Sequence, residues 1–188
     1  SVVRDPYGFI WIGTENGLNR YDGYNFTVYR HDRKNKHSLT DNFINDLLMD
    51  SNGNPWIGTR NGLNRYIYQK DHFVNYLPAN SDTISNQIDY SAHLPLNAYI
   101  QVLYEDSKHR IWIGGDGGID IFEPQTQTFK HIPLNYQNHD NKQGESVYDI
   151  KENSRGKYWI GVENGLIYYD PINADKVRYR AVPNDPNS

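Results

Sequence analysis

The side chains able to do chemistry in this chain of 188 residues are seven histidines, 23 aspartates and glutamates, and sixteen tyrosines. There is no cysteine, so disulfides and thiolate chemistry are excluded. The histidines stand at 31, 37, 72, 93, 109, 131 and 139 and never recur at a metal-ligand spacing, so no metal site is expected. His31-Asp32 and His139-Asp140 are neighbours in sequence, which does not bring their side chains face to face. No G-x-S-x-G, H-E-x-x-H, phosphate-binding loop or G-x-G-x-x-G opening a helix occurs. Paired carboxylates for glycoside chemistry stay open, because residues from separate segments could converge. Tyrosine suits sugar binding, with an apolar ring face and a hydroxyl tip.

The bulk numbers narrow the partners. A net charge of -4 with only one short basic run, Arg30 to Lys36, gives no positive stripe for a phosphate backbone, so nucleic acid is excluded. No apolar run approaches the length of a membrane span, and no signal-peptide pattern is present. Mean hydropathy is low at -0.84, yet 14% of residues are aromatic, enough to bury a core and offset ordering entropy. Absence of cysteine fits a bacterial periplasm as well as a cytosol.

What must position these residues is a repeat. Each of the four tryptophans sits in a copy of one motif. The copies are Trp11-Ile12-Gly13-Thr14-Glu15-Asn16-Gly17-Leu18, then Trp56-Ile57-Gly58-Thr59-Arg60-Asn61-Gly62-Leu63, then Trp112-Ile113-Gly114-Gly115-Asp116-Gly117-Gly118-Ile119, then Trp159-Ile160-Gly161-Val162-Glu163-Asn164-Gly165-Leu166. The tryptophans are 45, 56 and 47 residues apart, close to the period of propeller blades. Upstream of each lies an apolar stretch (Val2-Val3, Ile44 to Met49, Ile100 to Tyr104, Val147 to Ile150) and a turn opening on Asp5, Asp50, Asp106 or Asn153. Those turns carry Gly8, Gly53 and Gly156, but His109 in the third, which predicts a strained or differently shaped turn there. The second turn ends on Gly17, Gly62, Gly118 or Gly165, and a third and a fourth strand follow. The fold class is therefore all-β: a β-propeller segment over 1–188, of four four-stranded antiparallel blades, with repeats of about 1–42, 43–98, 99–146 and 147–188. At most a helical turn or two is expected, in the long second linker. Trp11, Trp56, Trp112 and Trp159 read as fillers between blades rather than as a ligand-stacking ladder. Asn25-Phe26-Thr27 fits the glycosylation pattern, but Phe26 is a strand anchor and the match reads as chance.

In such a meander the second turns and the linkers between blades fall at one end. That end gathers Glu15, Arg60, Asp116 and Glu163 from the turns, and Asn42, Tyr90, Tyr99 and Tyr136 from the linkers. These eight are the candidate ligand-binding residues, because variable loops on a regular scaffold are where binding sites form. Neither a catalytic residue nor a cofactor is assigned.

The run Asp-x-x-Gly, Trp-Ile-Gly-Thr, Asn-Gly-Leu, Arg-Tyr-Asp resembles the two-component regulator propeller repeat, closely over Asp5 to Asp22 and Asp50 to Tyr66. Repeat 4 departs at Val162 and Tyr168, and repeat 3 at Gly115, Gly117 and Ile121. The resemblance implies an extracytoplasmic, periplasmic sensor of a membrane-bound hybrid histidine kinase, with commonly seven blades. It implies an oligosaccharide or other small ligand, with the remaining blades and downstream modules of the parent receptor as partners. It transfers no ligand residue, because the motif is structural. A polysaccharide-acting lyase or hydrolase and a protein-interaction scaffold are the other readings, since fold does not fix function. Four blades made for a larger ring would leave faces carrying Trp11 or Trp159 open, so the chain by itself is expected to associate end to end.

Overall fold

The computed structural model describes residues 1–78, 95, 97–134 and 145–180. Sixteen strands form four sheets of four, each a plain antiparallel meander. Blade 1 holds β1 (Val2–Arg4), β2 (Ile10–Thr14), β3 (Gly17–Tyr21) and β4 (Phe26–Tyr29). Blade 2 holds β5 (Ile44–Met49), β6 (Pro55–Thr59), β7 (Gly62–Ile67) and β8 (His72–Tyr76). Blade 3 holds β9 (Ile100–Glu105), β10 (Ile111–Gly115), β11 (Gly118–Glu123) and β12 (Thr128–Ile132). Blade 4 holds β13 (Val147–Glu152), β14 (Tyr158–Val162), β15 (Gly165–Asp170) and β16 (Asp175–Tyr179). These are β-propeller blades. Among the described residues the helical content is one 3-10 turn at Tyr68–Lys70, between β7 and β8; the second linker, where a helical turn was expected, lies largely outside them.

The repeat motif acquires a physical reason at each of its fixed positions. The turn aspartate is a buried hub. Asp5 accepts the backbone N–H of Tyr7 and Phe9 on Oδ1, and the Trp11 indole N–H on Oδ2 at 2.9 Å. Asp50 and Asp106 repeat the indole bond to Trp56 and Trp112 at 2.9 and 2.8 Å. A buried indole N–H and a buried carboxylate thus satisfy each other, as low-dielectric burial requires. In blade 4 Asn153 keeps the turn contacts, accepting from the N–H of Arg155 and Lys157.

Two glycine positions are dictated by close approach. At Gly17, Gly62, Gly118 and Gly165 φ lies between 112° and 131°, and a Cβ would meet the carbonyl oxygen of Tyr29, Tyr76, Ile132 or Tyr179 within 3 Å. The positive φ falls on this glycine rather than on the Asn before it, so the hairpin is a turn closed by a glycine bulge. The Trp-Ile-Gly glycine instead makes room for the next blade. A Cβ on Gly13 would stand 2.5 Å from Ile44 Cγ2, and on Gly58 2.6 Å from Ile100 Cγ2. The turn at His109 is strained as its sequence implies, with a non-glycine φ of 62°.

Each interior tryptophan lies between its own blade and the next. Trp11 packs on Tyr66 and Tyr68 (centroids 4.8 and 6.3 Å), Trp56 on Phe122 (5.2 Å), and Trp112 on Tyr158 (3.9 Å). Trp11, Trp56 and Trp112 are fully buried. Trp159 is only partly buried. One expectation is thereby corrected: Trp11 does not lie on an open face, because it points toward blade 2. Between blades 1 and 2 the seam adds a polar cluster. The Arg20 guanidinium donates to the Tyr66 hydroxyl at 2.8 Å, and the hydroxyls of Tyr29 and Tyr66 both donate to Asp71 Oδ1. Burial first, then these hydroxyl contacts, push the Tyr29 and Tyr66 hydroxyls above their ordinary range, while the bonds from Tyr66 and Tyr29 hold the Asp71 carboxyl below its own.

Candidate functional site

The linkers and the β2–β3-type turns do share one end. The N–H of Gly17 donates to the carbonyl of Asn42, and that of Gly62 to the carbonyl of Ala98, both at 2.8 Å. Within a blade, the N–H of Arg60 reaches the carbonyl of Phe43 and that of Glu163 the carbonyl of Ser146, both at 3.2 Å. With the N–H of Gly117 on Asn97 Oδ1 at 2.9 Å, every second turn is thus tied to a described linker residue.

Buried polar plugs set the linkers further. Thr40 gives its N–H to Asn64 Oδ1 and receives Asn64 Nδ2 on its hydroxyl, both at 2.9 Å, beside the Thr59 hydroxyl at 3.0 Å. In blade 3 Asn97 donates through its backbone and its amide to Asp120 Oδ2, whose other oxygen lies 2.9 Å from His131 Nδ1. This aspartate and histidine are the nearest approach to a catalytic pair at this end. Asp120 is buried beneath Asn97 and its carboxylate is committed to the linker, so the pair reads as a rivet. Among the described residues no three histidines, aspartates or glutamates come together as metal ligands.

The six described candidates fall into two groups. Asp116 Oδ1 accepts from Gln101 Nε2 at 2.7 Å and from the Ser146 hydroxyl at 2.8 Å, which ties the blade 3 turn to its inner strand and to the next linker. Asn42 Oδ1 accepts the N–H of His31, and Arg60 lies over the Phe43 ring at 3.6 Å. Glu15, Arg60 and Glu163 are exposed at the turn tips, and Tyr99 is half-buried at the entry to β9. Tyr90 and Tyr136 lie outside the described residues. The end therefore presents the Asp116 carboxylate and the Asn42 amide oriented by neighbours, beside the exposed carboxylates of Glu15 and Glu163.

Three residues at this end escaped the reading of the sequence. The innermost strands of blades 2, 3 and 4 each carry a bulge at their second residue. Ile44 pairs with Thr59 and Asp46 with Gly58, leaving Asn45 out of register; Gln101 and Tyr148 are left out in the same way. A bulge turns a side chain out of the alternation, and bulges cluster at rims and binding sites. Asn45 Nδ2 is used on the carbonyl of Ile100 at 2.6 Å and Gln101 Nε2 on Asp116, so each amide is held by its nitrogen. Tyr148 is 52% exposed between buried Val147 and Ile150. A signal was available in blades 2 and 4: the buried residues stand three apart (Ile44 and Leu47, Val147 and Ile150), where an unbroken strand spaces them by two, while in blade 3 Val102 is buried as well as Leu103.

A model described as two component regulator propeller matches residues 38–61 and 93–117. A histidine kinase of Formosa agariphila is 35% identical over 40 residues, which is 21% of this chain and 3% of that protein. Among solved structures, the extracellular domain of a hybrid two component system from B. thetaiotaomicron is 22% identical, with 95% of this chain and 30% of that chain covered and a TM-score of 0.47. An auxiliary nutrient binding protein from Bacteroides ovatus is 11% identical, covering 96% of this chain and 41% of that chain, with a TM-score of 0.56, and shares the fold. The chain thus spans well under two thirds of each of these proteins. Two stretches of this chain thus match the two-component regulator propeller repeat, and the Trp-Ile-Gly motif recurs in all four blades.

Proposed function

We propose that this propeller segment is a ligand-sensing part of a two-component sensor histidine kinase, placed on the periplasmic side of the membrane and without catalysis of its own. The observation that carries the reading is the loop end, where every second turn is hydrogen-bonded to a linker and acceptor groups are held in place. Such preorganised polar loops on a rigid β scaffold suit recognition, because little ordering is left to be done when a ligand arrives. The chemistry on display is carboxylates, amides and tyrosines, and the ligand class it fits is an oligosaccharide. Sugar hydroxyls donate to carboxylate and amide oxygens, and sugar ring faces lie on tyrosine. The printed name of one relative, a histidine kinase, supports the signalling part of the reading.

The test is calorimetric titration of the intact receptor, and of this chain, with a panel of neutral, amino and acidic oligosaccharides. Saturable binding of at least one glycan, weakened by substitutions at the loop end, is the expected result. Turnover of any glycan by the purified chain would instead favour a polysaccharide-acting enzyme.

A further inference from the structure

The polar cluster between blades 1 and 2 has a counterpart between blades 2 and 3 that is only half built. In the first seam Arg20, paired in register with Trp11, donates to the Tyr66 hydroxyl at 2.8 Å and stands 4.0 Å from Asp71 Oδ1. Tyr29, opposite Leu18, gives its hydroxyl to the same carboxylate oxygen at 2.8 Å. One cation, two hydroxyls and one anion thus satisfy one another among aromatic rings.

The strand registers give each of these residues its equivalent in the next seam. Arg65 pairs with Trp56 as Arg20 does with Trp11, and Tyr76 stands opposite Leu63 as Tyr29 does opposite Leu18. Phe122 takes the place of Tyr66, each facing a phenylalanine of the outer strand. Asp71 directly precedes β8 with a left-handed φ of 47°, and the residue that directly precedes β12, at a φ of 57°, is Gln127. The cation and one hydroxyl are therefore kept, while the anion and the other hydroxyl are lost. In the seam of blades 3 and 4 the equivalents of Arg65 and Tyr76 are Ile121 and Ile132, so there the cation goes together with its hydroxyl.

Arg65 shows the consequence. Among the described residues its guanidinium makes no hydrogen bond or ion pair; it lies over the Trp56 ring at 5.4 Å, with Nε buried and without an acceptor. A buried donor left in that state is costly. Burial raises the Tyr76 hydroxyl and the Arg65 charge acts against that, which sets the two groups near each other. Gln127 does not replace the acid, because its amide is turned onto its own turn, Nε2 donating to the Pro124 carbonyl at 2.7 Å. We propose that this seam binds a small carboxylate ligand, whose anionic group takes the place between Arg65 and Tyr76 that Asp71 takes between Arg20 and Tyr29. The corresponding place is open to solvent in the first seam, where the Asp71 side chain is 63% exposed. One guanidinium balances a monoanion, whereas a phosphate dianion would bring a second charge with no partner among the rings of Trp56, Phe122 and Phe129. A free carboxylic acid and a uronic acid share this chemistry. The site is separate from the loop end, since Asp71 and Gln127 sit in turns at the other end of the strands.

The test follows the Arg65 Nε–H resonance and the melting temperature of the chain as acetate, glucuronate or glucose is added, at an ionic strength fixed with chloride. At least one carboxylate is expected to shift that resonance saturably and to raise the melting temperature, while glucose does neither. Response to both acids makes the carboxylate alone the recognised group. Response to glucuronate only makes a sugar acid the ligand, and either result supports the site. Arg65→Met is expected to weaken binding, read from the melting temperature, by at least about tenfold, the equivalent of one charge-assisted hydrogen bond. Gln127→Asp puts a carboxylate on a left-handed residue, a conformation that aspartate tolerates, and so fills the site from within. In that variant the Arg65 resonance should start at its shifted position, the chain should melt higher, and added acid should no longer act. An Arg65 resonance that neither acid moves overturns the proposal, as does one that glucose moves equally. Undiminished binding in R65M or Q127D defeats it too.

Discussion

At the scale of single residues, the turn aspartate is the group on which most depends. Asp50 accepts from the N–H of Asn52 and Asn54, from the Asn54 amide and from the Trp56 indole, while remaining buried. Asp50→Ala leaves a buried indole N–H and two turn N–H groups without their acceptor, so a loss of about 2–4 kcal/mol is expected in a urea unfolding curve. Asp106 adds a pH dependence. Burial raises its carboxyl, but the hydrogen bonds from Arg110 and Trp112 outweigh it, and the group ends below the ordinary value of 3.8. A folded-state value below the unfolded one means that its stabilisation is complete above 3.8 and is lost as pH falls through the lowered folded value. Stability measured between pH 5 and 2 should therefore fall at the acid end, at about the ordinary carboxylate range and below. Asp106→Asn, which adopts the side chain that blade 4 already uses at Asn153, should flatten part of that slope.

At the scale of the elements, strands and hairpins were legible because turn residues punctuate short apolar runs. The inner strands of blades 2 to 4 begin at Ile44, Ile100 and Val147, where the reading put them. What alternation alone hides is the bulge, since one extra residue on an inner strand changes neither composition nor length. The use of Gly13 and Gly58 was hidden too, because it is the Ile44 and Ile100 of the following blade, far away in sequence, that fill the space a Cβ would take. Seams also make equal tryptophans unequal. Trp56→Ala should cost about 3–5 kcal/mol, the usual penalty for emptying a buried aromatic site, and Trp159→Ala much less. Comparable losses for the two in denaturant unfolding would contradict the seam description. At the mouth, Tyr148→Ala should weaken glycan binding by about five- to tenfold, the equivalent of about 1 kcal/mol of lost ring contact, without altering the melting curve. Of the loop-end candidates, Asp116 and Asn42 turned out to be tied into the scaffold, a fact carried by Gln101, Ser146 and His31 rather than by their own positions in the sequence.

At the scale of the whole molecule, the described blades differ at their seams, Trp11, Trp56 and Trp112 each packing on a ring of the blade that follows while Trp159 is only partly buried. Its two rims differ as well. The β1–β2-type turns at one rim are locked by aspartate hubs, while the other gathers linkers, bulges and oriented acceptors. The central claim is that this second rim binds the ligand, and hydrogen–deuterium exchange with a saturating glycan tests it most directly. The expected result is new protection confined to the second turns at 14–17, 59–62, 115–118 and 162–165 and to the starts of β9 and β13, with the turns at Asp5, Asp50 and Asp106 unchanged. Protection at those aspartate turns, with the linker rim unaffected, would contradict the account.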